Sequence, residues 1–321
     1  MSNNNAEAPI FKFEDGQFSK AITLGELSQS LMLRDNKGLA PKSRPIQSWE
    51  LIKLVHDEAR SLNLEAEIKE IYVAQSGSNA AISREEKEIY KSGNNIPITK
   101  WLFGRITFMI VIRHTMDKDT TTAIVGTFHD KGLQIAMGQH VHVCSNMCIF
   151  GNNIMSTYGP SSMPFVKIEE MIGKWLSEFE EKRSKDLEII NLMKEYQIVD
   201  GTLQGMLDSM VGQMFRKAVR KNYFAGDDFV FNMTQCGDFV KQMETRINDP
   251  ETQDKPTTMW DIYNWGTEIL SPTRTEVSSI YSTNMAWGVF LHDFLSWNNA
   301  EKTHILSQVA VPISPAKKFR K

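Results

Sequence analysis

Cysteine is scarce in this chain, with three in 321 residues, an odd count containing no Cys-x-x-Cys pair. This argues against a disulfide framework, and a reducing compartment is expected. Long apolar runs are also missing: windows such as Ile106 to Ile112 fall far short of the ~20 residues that cross a bilayer. The opening MSNNNAEAPIF has no basic region followed by an apolar run, which argues against a signal peptide. These absences predict a soluble, cytoplasmic protein that engages no membrane. No charge of one sign dominates, since 36 Lys and Arg face 39 Asp and Glu for a formal net charge of −3. Bulk attraction to a polyanion is excluded, although a locally basic groove is not. Internal repeats, Gly-rich phosphate loops, G-x-S-x-G, H-E-x-x-H and calcium-loop spacings are all lacking. No cofactor is expected, and an enzyme is the less favoured class.

What is present suits a globular fold: 41% hydrophobic and 23% charged residues can bury a sizeable core. Residues 1–45 form a polar N-terminal segment, 46–160 an antiparallel-sheet region, 161–300 a helical region of the same domain, and 301–321 a basic tail. The first helix is predicted from Ser48 as N-cap, with Leu51, Ile52, Leu54, Val55 and Ala59 as its apolar face. Ala66 to Ala74 alternates like a half-buried strand, and Gln75 to Asn95 reads as a long surface excursion with one helical turn. Phe103 to His114 is apolar on both faces, the mark of a central strand covered on both sides. Thr120 to Phe128 returns antiparallel to it. A turn at His129–Gly132, a strand from Leu133, a glycine break at Gly138 and a strand from His140 to Cys144 follow, the last two as a hairpin. The expected fold class is α+β: an antiparallel sheet of four or five strands over about residues 65–150, then a helical C-terminal half packed on it. In that half a single long helix is predicted over Pro164–Val199, followed by helices near 202–220, 233–247, 258–270 and 277–297.

Three constellations could carry chemistry. His129 and Asp130, with Lys131 and Gly132, place a base, an acid and a cation on one turn. Such a turn can serve as a general acid–base or phosphate-contacting element, or simply as an Asp-containing turn closed by glycine. His140, His142, Cys144 and Cys148 are zinc-type ligands, but three alternating strand residues spread over about 14 Å, so at most a subset could meet one ion. Arg216, Lys217, Arg220 and Lys221 form the densest basic cluster outside the tail, with Tyr223 and Phe224 immediately after. Cations beside stacking aromatics suit single-stranded nucleic acid; the plainer reading is a helix C-terminus complementing its dipole. The stripe Trp260, Tyr263, Thr267 and Leu270, and the methionines from Met193 to Met214, read as core.

Gly126-Thr127-Phe128-His129-Asp130-Lys131-Gly132-Leu133, Gly138, Val141-His142-Val143-Cys144-Ser145-Asn146 and Phe150-Gly151 together resemble the phage/plasmid-like family called "domain of unknown function 932". Trp260 to Glu268 is similar to a late helical asparagine-x-x-threonine-glutamate element of that family. The turn departs from the family pattern, with Thr127 and Phe128 in place of asparagine and serine and Gly132 where serine is common. The resemblance implies a phage or mobile-element origin with an unassigned function, and it carries no established active site to transfer. The leading expectation is an accessory factor of DNA replication or recombination that binds single-stranded DNA, as a homo-oligomer. Alternatives are a protein-interaction module, such as a host-defence antagonist binding a host or phage protein, and a metal-dependent enzyme centred on His129, Cys144 and Cys148.

Overall fold

The structure is a computed structural model that describes residues 9–31, 46–90, 96–115, 120–129, 132–141, 149–158, 164–198, 208, 210–215, 217–218, 231–249, 256–270, 283–284, 286–288 and 290–291. In chain order the strands are β1 (Ile10–Phe11), β2 (Ser19–Ala21), β3 (Ala66–Ala74), β4 (Ser78–Ala80), β5 (Ile96–Pro97), β6 (Trp101–Phe103), β7 (Arg105–Ile112), β8 (Thr120–His129), β9 (Gly132–Val141), β10 (Ile149–Tyr158), β11 (Gln197–Ile198) and β12 (Thr257–Thr258). The helices are α1 (Leu24–Gln29), α2 (Ser48–Ser61), α3 (Arg84–Tyr90), α4 (Phe165–Leu176), α5 (Phe179–Glu195), α6 (Met233–Ile247) and α7 (Met259–Glu268). The architecture is α+β, with a curled antiparallel sheet first and helices after it. No helix among the described residues is long and apolar enough to cross a membrane.

The main sheet has six strands in the order β10-β9-β8-β7-β3-β2. This exceeds the four or five expected, because β2 adds to one edge and β10 to the other. β7 lies between β3 and β8, and Ile106, Phe108, Ile110 and Ile112 all belong to one core cluster. Thr107, Met109 and Val111 are buried as well, so the strand is covered on both faces as its composition requires. Phe108 stands opposite Gly126 on β8. A Cβ on Gly126 would lie 2.2 Å from the Phe108 ring, so the absence of a side chain is what seats this fully buried aromatic.

Several local expectations are corrected. Residue 47, not Ser48, caps α2: the Gln47 N–H donates to Glu50 Oε2 at 3.0 Å, and Ser48 is already helical. The Gln75–Asn95 excursion carries regular structure at Ser78–Ala80 and Arg84–Tyr90, and its residues 91–95 lie outside the described residues. β4 pairs antiparallel with β6, and Arg84–Tyr90 is a helix. No break occurs at Gly138, because β9 runs through it and His140 belongs to the same strand. The helix predicted over Pro164–Val199 is two helices, since α4 ends at Ser177, whose hydroxyl donates back to the Lys174 carbonyl at 2.7 Å.

The chain divides into two compact units: 1–137, 153–180 and 272–278, and 138–152, 181–271 and 279–321. In the first, α2 and α4 contribute Leu51, Ile52, Val55, Ile168, Ile172 and Leu176 to the cluster that covers the Phe108 face of the sheet. The polar N-terminal segment also supplies Phe11, Ile22 and Leu27 to that cluster. Phe11 meets Phe103 edge-on at 5.0 Å, and its carbonyl accepts from Trp101 Nε1 at 3.0 Å. In the second unit, Trp287 fills a notch over Gly266, where a Cβ would come within 2.2 Å of the indole. Trp287 Nε1 donates to the Tyr263 carbonyl at 3.0 Å, Tyr263 Oη donates to Asn284 Oδ1 at 3.1 Å, and Asn284 Nδ2 donates to the Ile149 carbonyl at 2.5 Å. Trp260, Tyr263, Thr267 and Leu270 are buried as expected, as are Met193, Met210 and Met214.

Replacing Gly126 by valine should lower stability by about 1–3 kcal/mol, the usual cost of overpacking. The gain of about 0.5–1 kcal/mol from removing a strand glycine is smaller and does not offset it. Urea unfolding should show the loss, and adding Phe108→Leu should recover part of it; a Gly126→Val chain as stable as the parent would contradict this packing account.

Candidate functional site

Because the middle of the sheet is apolar on both faces, charged groups collect at strand ends and along an edge. Arg105 opens β7 and His129 closes β8, and the register sets these two residues directly opposite each other. Two residues inward, Tyr72, Thr107 and Thr127 form a cross-strand row. Thr127 Oγ1 is buried and has no hydrogen-bond partner among the described residues.

The turn after β3 shapes the surroundings of Arg105. Gly77 has φ +85°, a conformation that other residues rarely adopt, and the Ser78 N–H donates to the Gln75 carbonyl at 3.1 Å. Across from it, a Cβ on Gly104 would lie 2.7 Å from the Gly77 carbonyl oxygen, so two glycines let the backbones meet. The Arg105 stem lies beside Gly77, and its Nη1 donates to Ser76 Oγ at 3.2 Å. The guanidinium is thus hydrogen-bonded to Ser76, and the residue is exposed. A planar five-donor cation held this way suits a phosphate or carboxylate oxygen.

The structure places the residues singled out from sequence unevenly. His129 ends β8 and Gly132 begins β9, whereas Asp130 lies outside the described residues. Lys217 is helical and half-buried, with Nζ 5.9 Å from the Phe290 ring, which stacks on Trp287 at 5.5 Å. This cation–π contact gives Lys217 a packing role beside the second unit's aromatic core. Arg216, Arg220, Lys221, Tyr223 and Phe224 lie outside the described residues, as do His142, Cys144 and Cys148. His140 is 3% exposed inside β9. Among the described residues no group of three His, Cys, Asp or Glu side chains could hold a metal ion. Cys236, the remaining cysteine, is fully buried in α6, and burial pushes its thiol up to about 12.

Sequence reasoning missed Arg105, which had been absorbed into a plain strand. The Gly104-Arg105 step was the available signal, because a glycine at a strand start marks a close backbone approach. It also missed a groove of about 440 Å³ lined by Ala21, Ile22, Thr23, Leu24, Glu26 and Ile68–Ile71. There the ladder between β3 and β7 shifts register between Ile68 and Glu70. Burial raises the Glu70 carboxyl above the usual glutamate range, and Lys69 opposes this more weakly.

No family model matches the chain, and no curated protein or solved structure matches it either.

Two outcomes follow from these groups. The raised Glu70 carboxyl keeps its proton in the folded chain at a pH where the unfolded chain, with an ordinary value of about 4.3, has lost it. Stability from this group is therefore present at low pH and is lost as pH rises above about 4.3. Glu70→Gln should raise the urea midpoint at neutral pH and leave it unchanged near pH ~4, an ordinary unpaired carboxylate giving no such divergence. Cys236 should resist iodoacetamide in the native chain at pH ~8 and react after denaturation, because alkylation needs the thiolate. Peptide mass mapping reads this directly, and rapid native labelling would contradict the burial described.

Proposed function

We propose that this chain binds single-stranded nucleic acid as an accessory factor of DNA replication or recombination in a phage or mobile element, acting in the host cytoplasm as an oligomer. The observation that carries the reading is the Arg105–His129 strand end. There an exposed guanidinium, oriented by Ser76, stands in register with the first residue of the His-Asp-Lys-Gly turn. This favours the phosphate-contacting reading of that turn over acid–base chemistry. A phosphodiester chain needs cations at strand ends and loops, and Arg105 supplies one that is held in place. The basic cluster at Arg216, Lys217, Arg220 and Lys221, with Tyr223 and Phe224 for stacking, remains a second contact region in this proposal. Within it, Lys217 supplies stem packing on Phe290 in addition to any charge.

The test is fluorescence anisotropy with a labelled single-stranded oligonucleotide at about 50 mM and about 200 mM salt. Binding should weaken steeply with salt. Arg105→Ala should weaken it further and make the salt slope shallower by about 0.7, the loss of one phosphate contact on a single strand. Unchanged affinity and slope would remove Arg105 from the interface, and absence of binding at the lower salt would remove the nucleic-acid reading altogether.

A further inference from the structure

We infer that Tyr72 is the base-stacking residue of the Arg105 site: an unpaired base lies on its ring while an adjoining phosphate meets Arg105. The inference rests on the nucleic-acid reading above and adds to it the sheet face that the strand follows and the residue that holds a base. It belongs to the first unit alone.

Register carries the assignment. Tyr72 on β3 stands opposite Thr107 on β7, and Arg105 lies two residues from Thr107 in the same strand. Side chains alternate along a strand, so Tyr72, Thr107 and Arg105 share one face, the one opposite the Phe108 core. Diagonal neighbours of this kind stand about 7–8 Å apart, a span that one or two nucleotides bridge. The Arg105 side chain then leans toward the turn after β3, where its Nη1 donates to Ser76 Oγ at 3.2 Å. The path from ring to cation therefore runs along β3 past Ala74.

Nothing tall stands on that path. The neighbours of Tyr72 on this face are Ala21 across on β2, Thr107 across on β7 and Ala74 two residues on, all shorter than the ring. Ala74 and Thr107 are buried, whereas Tyr72 is only half-buried and Arg105 is exposed. An aromatic raised above short neighbours, with a cation beyond it, suits a single strand, because every base has a π-face and every nucleotide a phosphate. Aromatics on the face of an antiparallel sheet provide such platforms for unpaired bases.

Glu70 sets the direction of the strand. It lies two residues from Tyr72 on the side away from Ala74, and its carboxylate repels a phosphate there. The backbone consequently passes on the Arg105 side of the ring. Burial, and Glu70 after it, push the Tyr72 phenol above its ordinary value, so the stacking ring stays uncharged.

The test titrates the full chain with a fluorescein-labelled oligothymidylate of about twelve nucleotides and with an abasic oligomer of the same length, which keeps the phosphates and lacks the bases. The native chain should bind the oligothymidylate at least about fivefold more tightly, the contribution of one stacked base. Tyr72→Leu should narrow this preference by at least about fivefold, and Tyr72→Phe should keep it. Arg105→Ala should weaken both oligomers alike and leave the preference in place. A measurement on the native chain needs no variant: an oligothymidylate carrying 5-iodouracil is photo-crosslinked and the chain digested with trypsin. The adduct should fall on fragment 70–84, in which Tyr72 is the one aromatic residue. Equal binding of the two oligomers would overturn the stacking inference and leave phosphate binding intact. A preference undiminished in Tyr72→Leu, or adducts confined to other fragments, would overturn it by placing the stacked base elsewhere. Absence of binding by either oligomer at about 50 mM salt would remove the nucleic-acid reading and this inference with it.

Discussion

Phe108 rests directly on the backbone of Gly126, and the sheet of this protein is organised outward from that contact. A fully buried aromatic at a central strand gains about 1.5–3 kcal/mol from burial only if its ring finds a site without displacing neighbours. Glycine at 126 supplies that site, and the flanking residues Ile106, Ile110, Ile124 and Phe128 close around it. α2 and α4 then cover the same face, while Thr107, Met109, Val111, Ala123 and Val125 are buried on the other. With both faces consumed by packing, the centre of the sheet has no room for solvated charge.

That constraint explains where the polar chemistry lies. Arg105 sits at the first residue of β7, exposed, and stands in register with His129 at the last of β8. Glu70 and Lys69 sit where β3 outruns its short neighbour β2, at a shift in the β3–β7 register. Surface ion pairs such as Lys100–Glu86 at 2.8 Å and Lys185–Glu181 at 2.6 Å contribute little by comparison, since water screens them. The proposed contact with nucleic acid thus occupies a place the packing leaves open.

Much of the element plan was legible from pattern. The strand Ala66–Ala74, the doubly apolar strand at 105–112, the helix Met233–Ile247 and the buried stripe of Trp260, Tyr263 and Thr267 all follow from hydrophobic periodicity of 2 or 3.6. Strand β10 was not legible, because Ile149–Tyr158 contains Gly151, Asn152, Asn153 and Ser156, residues of low strand propensity that pairing with β9 overrides. The same override carries β9 through Gly138, and pairing with β6 orders the stretch after Gln75. Of the candidate site, the His129 turn was visible as a motif, but its opposite number Arg105 was not, since cross-strand register does not appear in linear spacing.

The sequence by itself determined the α+β class, which segments are apolar on one face or two, and which residue types are available for binding. Those properties depend on local periodicity and composition, which any window of the chain displays. Tertiary structure alone decided that Arg105 stands opposite His129 across a ladder, that Gly104 and Gly77 bring two backbones together beside it, and that the β3–β7 ladder shifts register between Ile68 and Glu70. Each of these depends on register and on a bulge, and both are set by how Phe108 finds Gly126 and β3 finds β7, contacts between residues distant along the chain.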